Sequence, residues 1–321
     1  MPRFASTRRE FVRSAATLAA GAALPYWFTG RDARAEEAKS KIKIYMHWDM
    51  EGVSGLFARP QVWFWEKGVS PEVAEEGRKL LEADVNSAAA AALEAGADRV
   101  IVCDTHHGGG NLRLKEMRSD LRITYHLKSR AYEGTALRWM PGLDASVDGL
   151  MLMGHHAKAG TDHAFLPHTW TLDWADFAID GQSVGEIGIE TCYAGHWGVP
   201  LVMAQGDEAM CKEVPAQFPR AVTACVKRAE SRDLCTGPDA RAARALTAER
   251  VAEAIKRLRS AKPAPFKPSL PMRVVVRMRS ESAAGAAAKK PGARRTDALT
   301  VECEVKRQCD VVKWIAGAGV D

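Results

Sequence analysis

Apolar runs with strand character alternate along this chain with amphipathic helical stretches, and that alternation restricts the fold more than any other feature. KIKIYMHWD (41–49), RVIVCD (99–104), RITYHL (122–127), DGLMLMG (148–154), WADFAID (174–180), PLVMAQGD (200–207) and AVTACVKRA (221–229) read as strands. Between and after them, residues 71–97, about 184–196 and 246–260 carry helical periodicity, and Gly96 closes the first of these helices. Strands alternating with helices pack as layers around a mainly parallel sheet, so an α/β fold is expected. Beyond residue 262 the pattern changes. KPAPFKPSLP is a Pro-punctuated linker, MRVVVRMR and ALTVECEV alternate as antiparallel strands do, and SAAGAAAKKPGARR between them reads as a low-complexity loop. The expected organisation is a main α/β domain over 36–262 and a smaller C-terminal α+β portion over 263–321. An alternative is that the late strands extend the main sheet.

The ends of the strands carry the chemistry. Asp49 and Glu51 follow the first strand, Asp104 and His106 close the second, and His155 and His156 close the fourth. In a parallel sheet the carboxyl ends of the strands converge on one crevice, where ligands bind. Asp49 and Glu51, two apart, project to the same side, so two like charges are held close and require a proton or a cation between them. Gly52 and Gly55 would let the backbone turn away beside such an ion. Six of the nine histidines lie in three short stretches, at 106–107, 155–156 and 163–168. Imidazoles and carboxylates together are the ligand set of borderline divalent metals, zinc above all. With one carboxylate bridging, two ions about 4 Å apart would activate water and stabilise an oxyanion together.

Composition bears on location and partners. The net charge is +5, but residues 1–35 hold six arginines against Glu10 and Asp32, a net of +4, which leaves +1 for the rest. A near-neutral body without a basic stripe gives no reason to expect nucleic-acid or anionic-membrane binding. The tail STRREFVRSAATLAAGAALP places Arg8 and Arg9 before a short Ala/Leu/Gly segment, and ARA at 33–35 offers small residues for cleavage. That order matches a twin-arginine export signal over 1–35, with the mature chain in a periplasm. Its apolar run, 15–24, is shorter than the roughly 20 residues that span a bilayer. Seven cysteines are scattered singly without a CxxC pair, which argues for small buried hydrophobes and against a thiolate zinc site.

The segments YMHWDMEGVSG, VCDTHHGGGN, GHHAKAG, PHTW and VGEIGIETCYAG, in this order, resemble the M55 family of zinc D-aminopeptidases, from about residue 41 to about 230. The resemblance implies a dinuclear zinc hydrolase, with two Zn2+ per subunit, that removes N-terminal D-residues from short peptides and amides within a ring-shaped homo-oligomer. It also implies roles for individual residues. Asp49 and Glu51 would be metal ligands, Asp49 the bridge, with His106, His156 and Glu186 completing the set. His168 would be the catalytic histidine. The stretch between His156 and His168 departs from the family pattern and contains His163 as a competitor.

Other residues are open to more than one role. His107 and His155 either face away, as favoured here, or support the ligands. Asp104 would hold His106 in one tautomer or cap the following turn. Asn111 is a candidate for substrate binding. The tryptophans at 63, 65 and 170 are expected in core or oligomer contacts. Export to the periplasm points to D-Ala peptides as substrate. Two rival readings remain: a dinuclear hydrolase of phosphate esters or non-peptide amides, and a non-catalytic periplasmic metal-binding protein.

Overall fold

The structure, a computed structural model, describes residues 41–128, 139–311 and 313; the expected export signal at 1–35 lies outside them. Residues 42–321 cluster as one unit. Seven strands form the larger sheet: β1 (Lys43–Trp48), β2 (Arg99–Asp104), β3 (Ile123–His126), β4 (Gly149–His155), β7 (Leu201–Asp207), β8 (Val222–Ala229) and β9 (Cys235–Thr236). Their order is β3-β2-β1-β4-β7-β8-β9, parallel throughout except for the short β9. The layered α/β expectation therefore holds. The chain builds outward from β1 through β2 to β3, then crosses back to place β4 on the other side of β1. A reversal of this kind opens a crevice at the carboxyl ends of the two central strands, which here are β1 and β4.

Both faces of this sheet are covered, which is why its strands are apolar runs instead of clean alternations. Ile44, Met46 and Trp48 point to one face, where they pack with Leu81, Val85, Val251 and Ile255. Those residues belong to α2 (Pro71–Glu94) and α5 (Ala240–Ser260). Pro71 opens α2, where its missing N–H costs nothing, and Gly96 just beyond it takes a left-handed φ of +96°. Tyr45, Leu150 and Leu152 face the other way and pack with Ile189, Cys192 and Tyr193 of α3 (Glu186–Gly195).

The second sheet is antiparallel, in the order β11-β12-β10-β5-β6. It combines β10 (Met272–Met278), β11 (Ala293–Arg295) and β12 (Thr300–Val305) with β5 (Trp174–Ile179) and β6 (Gln182–Ser183). The late strands do not extend the main sheet; they capture a hairpin from far earlier in the chain. The stretch read as a low-complexity loop is ordered. It contains α6 (Glu281–Ala287), capped by the Ser280 hydroxyl accepting from Ala283 N, and then β11. Two further α-helices lie among the described residues: α1 (Arg59–Val62), which the sequence pattern did not reveal, and α4 (Glu208–Gln217). Among the described residues no helix is long and apolar enough to cross a membrane.

Candidate metal centre

A cavity of about 260 Å³ opens at the carboxyl ends of β1 and β2. Asp49, Glu51, His106, His168 and Glu186 line it, beneath walls formed by Trp63, Trp65, Trp139 and Trp170. His156 lies against its floor, its ring stacked 4.0 Å from that of His168. The six residues expected as ligands and catalytic histidine thus meet in one place.

Each carboxylate is positioned by a specific local device. Gly52 follows the turn after β1 so closely that a Cβ there would sit 2.5 Å from the His155 carbonyl oxygen and 2.6 Å from the Gly206 Cα. Only glycine permits that crossing, which presses the Asp49–Glu51 segment against β4 and β7. The buried Lys227 Nζ donates to the carbonyl oxygens of Glu51 (2.8 Å) and Leu56 and so ties the turn from below. Burial lowers this ammonium to about 8. Trp63 Nε1 donates to Glu51 Oε1 at 2.8 Å, which leaves Oε2 turned towards His106. Glu186 stands in the first turn of α3 and accepts from the backbone N–H of Trp170 at 2.8 Å.

The two oxygens of Asp49 face two different groups. Oδ1 lies 2.6 Å from His106 Nδ1, which is also 3.4 Å from Glu51 Oε2. Oδ2 lies 3.6 Å from His156 Nε2, which is also 3.3 Å from Glu186 Oε1. Two ligand atoms held about 2.0–2.1 Å from a tetrahedral zinc are about 3.3 Å apart. Three of these four separations are close to that value; the 2.6 Å pair is a hydrogen-bond contact.

The imidazoles are oriented for ligation. In each ring the outer nitrogen faces a backbone carbonyl: His106 Nε2 the Val62 oxygen (3.0 Å), His156 Nδ1 the Ala157 oxygen (2.9 Å), and His168 Nδ1 the Leu166 oxygen (2.8 Å). A proton on the outer nitrogen leaves the inner one bare and aimed at the carboxylates, as outer partners do behind metal-bound histidines. Without a cation, the inner positions of His106 and His156 must hold protons instead. Burial opposes this, but the carboxylates outweigh it: Glu51 foremost holds His106 well above the usual imidazole range, and Glu186 does the same for His156. The same imidazoles hold Asp49 well below the carboxylate range in spite of its burial. A divalent cation relieves this by replacing the inner protons, so the residues present fit a metal.

Several expectations need correction. Asn111 does not line the cleft. It is buried, and its side-chain amide donates to Asp104 Oδ1 and to the His106 carbonyl oxygen, both at 2.8 Å. It shapes the loop behind His106. Asp104 accepts from the backbone of Asn111 and Leu112, so it caps that turn and does not steer the His106 ring. His155 does not face away: it reaches the Glu190 carboxylate at 3.2 Å and lies within ligand distance of Asp49 and Glu186. His107 stacks on Trp65 at the cleft mouth. Trp63 is a core residue and Trp170 packs against the core, as expected, and together with Trp65 they also wall the cleft. His163 lines a separate cavity with Arg232 and Arg279, whereas His168 lies with the ligands. Sequence reasoning missed His47 and Glu190, both fully buried behind the centre.

Comparison with known proteins agrees with this geometry. The D-aminopeptidase of Bacillus subtilis (strain 168) is 31% identical over 224 residues, which cover 69% of this chain and 77% of that protein. The solved structure described as "Zn-dependent D-aminopeptidase DppA from Bacillus subtilis, a self-compartmentalizing protease" matches with a TM-score of 0.78 at 25% identity, over 86% of this chain and 96% of that one. The sequence profile of the D-aminopeptidase family Peptidase_M55 matches residues 42–316, so the likeness continues well past residue 230 and takes in the whole second sheet. By this match over most of its length, the chain belongs to the M55 family of D-aminopeptidases.

Proposed function

We propose that this protein is a zinc-dependent aminopeptidase that removes an N-terminal D-residue, D-alanine foremost, from short peptides and amides. The observation that carries the reading is the double outlook of Asp49, whose two oxygens face two separate imidazole and carboxylate groups at the floor of an open cleft. This double outlook supports two zinc ions per subunit. Asp49, Glu51 and His106 would hold one, and Asp49, His156 and Glu186 the other. Bound there, zinc lowers the pKa of a water and polarises the scissile carbonyl.

The chain's own residues supply the rest. Burial, and then the neighbouring His156, lower His168 below the usual imidazole range, so the ring is neutral at neutral pH. Its Nδ1–H is held by the Leu166 carbonyl, so Nε2 is the atom that takes up a proton and passes it to the leaving amine. Trp63, Trp65, Trp139 and Trp170 narrow the cleft and exclude bulk water from the floor. Trp65 and Leu172, both about half exposed at the rim, suit a position facing peptide or a neighbouring copy. A homo-oligomeric ring is supported by the likeness to a relative described as self-compartmentalizing. The twin arginines support export to the periplasm, where D-alanyl fragments of cell-wall peptides would be met.

The test is the rate of release of p-nitroaniline from D-Ala and L-Ala p-nitroanilides by the zinc-loaded protein. Faster turnover of the D-isomer is expected, and faster turnover of the L-isomer overturns the stereochemical assignment.

A further inference from the structure

Behind the catalytic floor lies a second group of ligand-type side chains that the aminopeptidase reading does not use. His47, His155 and Glu190 are each at most 1% exposed, and one ligand atom from each lies within 4.8 Å of the others. His47 Nδ1 is 3.0 Å and His155 Nε2 is 3.2 Å from the same oxygen, Glu190 Oε2. Neither contact is aligned as a hydrogen bond. Both nitrogens of each ring and both oxygens of Glu190 are buried without a hydrogen-bond partner. Buried polar atoms in proteins are almost always satisfied, so three touching side chains whose polar atoms have only these two misaligned ion-pair contacts among themselves need a cause.

The spacing suggests one. Ligands about 2.0–2.1 Å from a tetrahedral zinc keep about 3.3 Å between them, close to the two separations seen here. Two histidines and a glutamate form a recurrent zinc-binding trio, and the second Glu190 oxygen is available to fill a further position. Packing walls the group in: Trp139 meets the His47 ring edge-on at 5.6 Å between centroids, and the two imidazoles lie 6.2 Å apart at 23°.

We propose that His47, His155 and Glu190 hold a further divalent cation of the zinc class, sealed behind the catalytic centre. Each of its ligands is coupled through the backbone to a residue of the front site. His47 is two residues before Asp49 on the same side of β1, His155 directly precedes His156 at the end of β4, and Glu190 follows Glu186 by four residues on one face of α3. An ion here clasps the three elements that carry Asp49, His156 and Glu186, and its role is to fix their spacing. His155, within reach of both groups, stands at the joint.

The experiment is metal analysis of the full protein saturated with zinc and dialysed, paired with anomalous difference maps from its crystals above and below the zinc edge. Three ions per subunit are expected, one of them between His47, His155 and Glu190. Glu190→Gln and His47→Ser should each lose one of the three and keep the two at the front. Wild-type protein with two ions and no anomalous peak at the rear position overturns the proposal, as does a Glu190→Gln variant with an unchanged ion count. If both variants fail to fold, the wild-type map decides alone. The side chains concerned differ from those of the aminopeptidase reading. An empty rear position therefore leaves that reading intact, and a filled one beside a protein inactive on D-substrates leaves this proposal intact.

Discussion

The two sheets of this protein divide its tasks. The parallel sheet delivers Asp49, Glu51, His106 and His156 from the ends of β1, β2 and β4, where crossovers leave strand termini facing a common crevice. The antiparallel sheet contributes none of these groups. Its strand β10 alternates, with Met272, Val274 and Val276 buried and Arg273 and Arg277 exposed. Glu302 on β12 is shared between Arg273 and Arg294 on the outer face. The buried face packs around α3, the helix that bears Glu186 and Glu190. One sheet supplies chemistry, and the other holds the helix that completes it.

This division can be broken by experiment. Asp49→Asn weakens both ligand groups at once and should lower kcat/KM by on the order of 10³-fold or more while the fold survives; zinc content and rates on the D-Ala anilide check it. His168→Ala should lower kcat by about 10²-fold or more with zinc content unchanged, which separates proton transfer from ligation. A parallel loss of metal would instead make His168 a ligand. In the antiparallel sheet the pattern reverses. Met272→Ala opens a cavity in a fully buried position and should cost about 2–5 kcal/mol of stability, with kcat at a permissive temperature close to wild type. A large loss of kcat there would mean that the second sheet sets the position of Glu186 more tightly than its packing suggests.

The smallest effect is a pH dependence of the metal-free protein. His106 and His156 are raised above their unfolded value, so their stabilisation is complete below about pH 6.5 and is lost as pH rises through the raised values. Asp49 is depressed, so its contribution is present above about pH 4 and is lost only in strong acid. The thermal midpoint of chelated protein should therefore fall as pH is raised above neutrality, while the zinc-loaded protein stays level. Equal slopes for the two forms would show that these imidazoles do not carry the compensating protons.

Most of the front site was legible because a parallel sheet obeys a positional rule: polar residues that follow the apolar strands are carried to the crevice at their carboxyl ends, although Asp104 turns away to cap its own loop. Asp49, His106 and His156 could be placed by that rule before any coordinates. What could not be read depends on partners distant in sequence. β5 pairs with β10 across almost a hundred residues, and nothing in either strand names the other. α6 was hidden because SAAGAAA has little amphipathic contrast, and its capping Ser280 was the only local marker. Asn111 looked available because loop asparagines look alike until their acceptors are known. His47 was concealed inside an apolar strand. A signal did exist: a histidine two residues before Asp49, and a glutamate one helical turn after Glu186, repeat the spacing of the ligands in front of them.

The Trp63 indole donates directly to Glu51, and Trp170 is held beside Glu186 by its backbone N–H, so one chromophore touches and another stands next to a carboxylate proposed to hold metal. Four of the nine indoles surround the cleft. On the proposed reading, the intrinsic emission of this protein should therefore act as a built-in optical gauge of its metal state. Loading, exchange and stripping of ions can be followed at ultraviolet wavelengths with no label attached.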